Sequence, residues 1–190
     1  MAAAAEPDPD GLRVAATGQG TSVTESSGRR ASTQVSTLIK ASRQAVYQAC
    51  LDPDALARWR VPDTMTGHVH AFEAREGGTY RMSLTYQDPA HSPAGKTSRD
   101  TDTFRGRFVE LVPDEKIVEV VAFESEDPSF AGDMKITTRI TDAGEGTRIT
   151  ILFEDIPTGV RPEDNEIGSQ QSLRKLAALV ETSSRRAAKP

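Results

Sequence analysis

A single cysteine, Cys50, excludes an internal disulfide and any cysteine-rich zinc module. Aromatic residues are scarce, at 5% of 190. No apolar run approaches the roughly 20 residues needed to span a bilayer as a helix, so membrane insertion is not expected. Positive charge is also short: Lys and Arg number 23 against 28 Asp and Glu, a formal net charge of −5. That balance argues against nucleic-acid binding through bulk positive charge. The chain opens with alanines followed by acid and proline, without a basic stretch leading into an apolar one. No signal peptide is therefore read there, and a cytoplasmic protein is expected.

What remains suits one ordinary domain with polar tails, in keeping with 36% hydrophobic residues and a mean hydropathy of −0.48. Residues 1–31 are Ala, Gly, Ser, Thr, Pro and Asp with almost nothing large and apolar, and are expected to be disordered. Residues 32–182 form the expected domain, and 183–190 a basic tail. Arg29-Arg30 lacks the apolar stretch of a twin-arginine signal, and Arg29-Arg30-Ala31-Ser32 is too common in solvated tails to mark a kinase site.

Between the tails the hydrophobic period is mostly two. Residues 33–41 alternate as a strand, Ser42 is placed to cap a helix over 43–51, and Asp52-Pro53 starts a second short helix ending at Trp59. Strands are predicted over 67–75, 79–87, 102–112, 116–123, 134–141 and 147–154, with a long polar loop at 88–101. Tyr80, Met82, Leu84 and Tyr86 share one face of their strand. A final helix begins at Pro162 with Glu163 and Asp164 in its first turn; Ile167, Leu173, Leu176, Ala177 and Val180 form its apolar stripe. The expected class is α+β: a curved antiparallel sheet of about seven strands around a long C-terminal helix, with two short helices after the first strand.

Three segments carry a family likeness: Asp54-Ala55-Leu56-Ala57-Arg58-Trp59, the run Phe72 to Arg81, and the run Phe104 to Pro113. Together with Gly95-Lys96-Thr97-Ser98 and Asp164-Asn165-Glu166-Ile167-Gly168, they resemble the SRPBCC superfamily. This is the helix-grip fold of START domains, the major birch-pollen allergen and polyketide cyclases. The branch resembled comprises bacterial proteins named after the C-terminal domain of the activator of the heat-shock-protein-90 ATPase. The likeness covers about residues 32–181. It implies a hydrophobic pocket between sheet and C-terminal helix, in a superfamily whose ligands include lipids, polyketides and aromatic metabolites. In the eukaryotic activator, chaperone stimulation is associated with a separate N-terminal domain, where this chain carries a low-complexity stretch.

Candidate pocket residues follow. Tyr80, Met82, Leu84 and Tyr86, with Phe104, Phe108, Phe123 and Met134, are expected to line the sheet side, and Leu173 and Leu176 the helix side. The tyrosine hydroxyls and His70 would supply polar contacts. Trp59 is either a lid stacking on the ligand or a plug anchoring the helix, and Arg60 is placed to catch a carboxylate at the pocket mouth. His68 and His70 flank Val69 on one strand face and, with His91, are weighed as zinc ligands; no cysteine or acid sits at ligand spacing, so no metal is expected. Asp100, Asp102 and Glu119, with Arg105 and Arg107, are read as ion pairs on a solvent face. Gly95-Lys96-Thr97-Ser98 lacks the first glycine of a phosphate-binding loop and opens no helix. Cys50 is read as inert core.

The leading expectation is a binder of a small apolar or aromatic molecule, without a cofactor, and an exposed sheet edge would permit a homodimer. The alternatives are an enzyme of secondary metabolism using the same pocket (a cyclase, dehydratase or hydrolase) and a chaperone-activator-like interaction module. No catalytic residue is assigned. An enzyme should contain a buried polar pair with a strongly shifted pKa, a binder polar groups only at the cavity mouth, and an interaction module a filled core with a contiguous exposed patch.

Overall fold

The computed structural model describes residues 30–187. The expected N-terminal tail up to Arg29 and the last three residues of the expected C-terminal tail lie outside them, whereas residues 183–187, expected as tail, continue the final helix. The elements run β1 (Ala31–Ile39), α1 (Arg43–Cys50), α2 (Pro53–Trp59), β2 (Met65–Phe72), β3 (Thr79–Tyr86), β4 (Thr101–Val112), β5 (Lys116–Phe123), β6 (Met134–Asp142), β7 (Thr147–Ile156) and α3 (Pro162–Ala187), with a single 3₁₀ turn at Pro128–Phe130. All seven strands form one antiparallel sheet in the order β1-β7-β6-β5-β4-β3-β2. The α+β helix-grip architecture read from the sequence is the one observed.

Local chemistry accounts for the helix starts. The Ser42 side chain accepts the Ala45 amide at 3.2 Å, and Asp52 accepts that of Ala55 at 2.6 Å, each satisfying a first-turn donor. Pro53 follows the Asp52 cap, where its missing N–H costs nothing. In the β6–β7 turn Gly144 adopts φ 75°, and its amide is accepted by the Asp142 carboxylate at 2.9 Å.

Helix α3 divides into two functional halves. Leu173, Leu176 and Val180 are buried, the first two essentially fully, where the helix packs on β1, α1 and α2. The first half instead presents Asp164, Asn165, Ile167, Gly168 and Gln171 to a gap above the sheet. Ile167, expected in the buried stripe, is 56% exposed there. The helix is tied down at several points. Asn165 Nδ2 donates to Thr33 Oγ1 at 2.8 Å, the Lys40 amide donates to Glu181 at 2.9 Å, and Lys175 Nζ donates to the Val61 and Pro62 carbonyls at 2.8 and 3.0 Å. These anchors fix the helix at the β1 edge and over α2, while Asp164, Ile167, Gly168 and Gln171 of its first half face the gap.

Candidate functional site

The gap between the concave sheet face and α3 is a cavity of about 380 Å³. Its sheet side comes from inward residues of β3 to β7, including Leu84, Phe104, Phe123, Met134 and Ile151, and α2 closes one end with Leu56, Trp59 and Arg60. Strand alternation fixes this composition, because every second residue of a half-buried strand faces the core.

Of the residues expected at the pocket, Trp59, Arg60, Leu84, Tyr86, Phe104, Phe108, Phe123 and Met134 line the cavity. Leu173, Leu176 and Met82 lie outside its wall, at 1%, 0% and 0% exposure, because they fill the packed part of the core. Tyr80 is also buried and stands behind the wall, reaching it only through its hydroxyl partners. His70 belongs elsewhere altogether. The β2–β3 register shifts between Val69 and Ala71, and His70 is exposed on the outer face, where Nε2 lies 2.9 Å from Ser83 Oγ and the ring meets His68 edge-on. Burial and the neighbouring His68 and Arg81 charges lower its pKa, so it stays neutral to lower pH than an ordinary histidine. Among the described residues no group of three His, Cys, Asp or Glu side chains is placed to hold a metal ion.

Trp59 behaves as an anchor. It is 4% exposed, and its indole N–H donates to the Ala49 carbonyl at 2.9 Å, fastening α2 to the end of α1 while part of the side chain faces the cavity.

The largest correction concerns charge. Asp102 and Glu119, expected on a solvent face, are 2% and 4% exposed and point into the cavity, whereas Arg105 and Arg107 do face outward. Glu119 pairs with Arg60, at 2.7 Å between Oε1 and Nη2 and 3.2 Å between Oε2 and Nη1. The same Oε2 accepts the Tyr80 hydroxyl at 2.5 Å. Arg60 therefore sits inside the cavity, matched to a carboxylate, and is not a free cation at its mouth. Its guanidinium lies over the Tyr80 and Phe104 rings, 5.7 and 6.0 Å from their centroids. Burial disfavours the Arg60 charge, but Glu119 and Tyr80 outweigh it, and the pKa ends above its ordinary value. Tyr80 is pushed well above the usual phenol range, chiefly by burial, with Glu119 adding to the rise.

Gly106 makes this arrangement possible. It pairs with Tyr80 across β3 and β4, and any Cβ there would overlap the tyrosine ring.

A second buried pair comes from the long loop between β3 and β4. Lys96 Nζ pairs with Asp102 Oδ2, while the Lys96 amide donates to Oδ1 at 2.5 Å. The Lys96 ammonium also lies 5.5 Å from the Phe123 ring centroid. The loop is held in place by Thr97, which accepts the Thr103 amide and donates to the Thr101 carbonyl, both at 2.8 Å. Ser125 Oγ donates to the Lys96 carbonyl at 2.6 Å. Every fully buried side-chain nitrogen or oxygen among the described residues has a hydrogen-bond partner, and both oxygens of Glu119 and of Asp102 are engaged within the protein. Cys50 is buried and lines the cavity. Burial pushes its thiol up to about 12, which keeps it protonated and inert.

Polar pairs inside the cavity depart from the expectation that a binder would carry them only at its mouth. Among the described residues no helix is long and apolar enough to cross a membrane.

Comparison with known proteins agrees with this architecture. A protein from Chromobacterium violaceum of known structure is 35% identical, with a TM-score of 0.69 over 79% of this chain and 96% of that one. An AHSA1-like protein from Aeromonas hydrophila matches at 18% identity and TM-score 0.58, covering 81% and 94% of the two chains. A Rhodobacter sphaeroides protein matches at 14% identity and TM-score 0.65, over 80% and 92%. None of the proteins with curated functions matches. Residues 40–181 match the family model described as activator of Hsp90 ATPase homolog 1-like protein, and the chain belongs to that AHSA1-like family of the SRPBCC superfamily.

Proposed function

We propose that this domain binds a small, largely apolar and partly aromatic molecule in the cavity between the sheet and α3. The observation carrying this reading is the cavity itself. At about 380 Å³ it falls within the roughly 300–1,000 Å³ of ligand pockets, and it combines apolar walls with a few convergent polar groups. Phe104, Phe108 and Phe123 supply flat apolar surface, while Arg60, Lys96 and Tyr86 supply hydrogen-bonding groups. A core left open beside a fully packed half of α3 fits a ligand site better than an interaction module. Among the described residues the exposed large apolar ones, Leu38, Val109 and Ile167, are spread over β1, β4 and α3.

The enzyme alternative is favoured by one feature, the buried Arg60–Glu119–Tyr80 cluster with its shifted pKa values. Against it, Glu119 is fully engaged by Arg60 and Tyr80 and Asp102 by Lys96, so neither buried carboxylate is free to act as a base.

The test is a fluorescence titration with the uncharged apolar probe phenylnaphthylamine. Saturable binding is expected in the parent and in Thr85→Arg, whose side chain position is on the outer sheet face. It should be lost in Leu84→Arg, which places a charge in the cavity wall. Equal behaviour of the two variants, or no binding by the parent, would overturn the reading.

A further inference from the structure

The charges around the cavity are matched, and this restricts what can enter. Arg60 is matched by Glu119 and Lys96 by Asp102, while Asp164 stands at the exposed rim on α3, 3.7 Å from Arg161. The two cations of the wall are thus each matched by a buried carboxylate, with no positive charge left uncompensated. Bringing an anion into such a low-dielectric space would strip its hydration and set it near Glu119 and Asp102 without a free cation in return.

The remaining hydrogen-bonding capacity points the same way. The Glu119 oxygens are taken by Arg60 and Tyr80, and the Asp102 oxygens by the Lys96 amide and ammonium. A guanidinium has five N–H donors and an ammonium three, so Arg60 and Lys96 keep donors to spare while the carboxylates keep little acceptor capacity. Tyr86, at the same wall, has its pKa raised by burial and then by Asp102 and Asp164, in keeping with a negative local field.

We infer that the cavity selects an uncharged molecule whose carbonyl or ether oxygen accepts from Arg60 or Lys96, and discriminates against carboxylates, sulfates and other anions. This rests on the cavity being a ligand site.

The experiment compares two probes of nearly the same skeleton, neutral phenylnaphthylamine and its anionic relative anilinonaphthalene sulfonate. The neutral probe should bind at least about tenfold more tightly to the parent, equivalent to about 1.4 kcal/mol. Asp102→Asn, which leaves the Lys96 charge uncompensated, should shift the ratio toward the anion by about tenfold or more. Glu119→Gln frees Arg60 in the same way and is read by the same ratio if Asp102→Asn does not fold. Equal or tighter binding of the anion by the parent, or an unchanged ratio in a folded variant, would overturn the inference and leave the cavity reading standing. Failure of both probes would overturn the cavity reading, and this inference with it.

Discussion

Replacing Glu119 by Gln removes one charge and little volume, and it leaves the Arg60 guanidinium buried without its counter-ion. The side chains of Arg60 and Glu119 are 18% and 6% exposed, so solvent can compensate only in part. Removing one partner of a buried pair costs about 3–5 kcal/mol, and the residual Arg60 exposure puts this case near the lower end, about 3 kcal/mol. For a domain of this size that corresponds to a fall in melting temperature of about 6–12 °C. Urea unfolding read by circular dichroism measures the free energy, and calorimetry the midpoint. The control removes the whole cluster, combining Arg60→Met, Glu119→Leu and Tyr80→Phe so that no buried polar group is orphaned. Replacing a buried ion pair with packed apolar groups is often neutral or stabilising, so the triple variant should recover most of the loss. A cost below about 1 kcal/mol for Glu119→Gln would mean the pair is effectively solvated. A triple variant as unstable as the single one would mean the loss came from packing and not from an unpaired charge.

Two further outcomes follow from the same core. Gly106→Ala should displace the Tyr80 ring and break its hydrogen bond to Glu119, costing about 1–3 kcal/mol; a variant as stable as the parent would show that the ring can shift freely. Cys50 and Tyr80 both have native pKa values above their ordinary ones, Cys50 at about 12 against 9.0. Their protons are held more tightly in the folded state, so their contribution is fully present below about pH 9 and is lost as pH rises toward 12. Melting temperature should therefore fall less steeply over that interval in Cys50→Ala than in the parent, and parallel curves would refute the assignment.

Much of the fold was legible because strand alternation is a direct consequence of backbone geometry. The face of β3 carrying Tyr80, Met82, Leu84 and Tyr86 points inward as its pattern requires. The same rule contained the site's most informative residues. Asp102 has the parity of Phe104 and Phe108 on β4, and Glu119 that of Ile117, Val121 and Phe123 on β5. Reading them as solvent-facing let residue type override position, since isolated acids are rarely buried. Their partners are what reverse that expectation. Arg60 ends α2 and Lys96 lies in a loop with no periodicity, so neither pairing has a signature in the local sequence. The position of His70 was legible by the same rule, since Met65, Gly67 and Val69 pair with the inward residues of β3 and alternation puts His68 and His70 on the outer face.

The most direct test of a ligand-binding cavity is to map backbone amide shifts as phenylnaphthylamine is added to the isotopically labelled protein. Binding in the cavity predicts saturable changes at Arg60, Leu84, Phe104, Glu119 and Gly168, with little change at His68, His70 and Arg105 on the outer face. Changes concentrated on the outer face, or none at saturating probe, would contradict it.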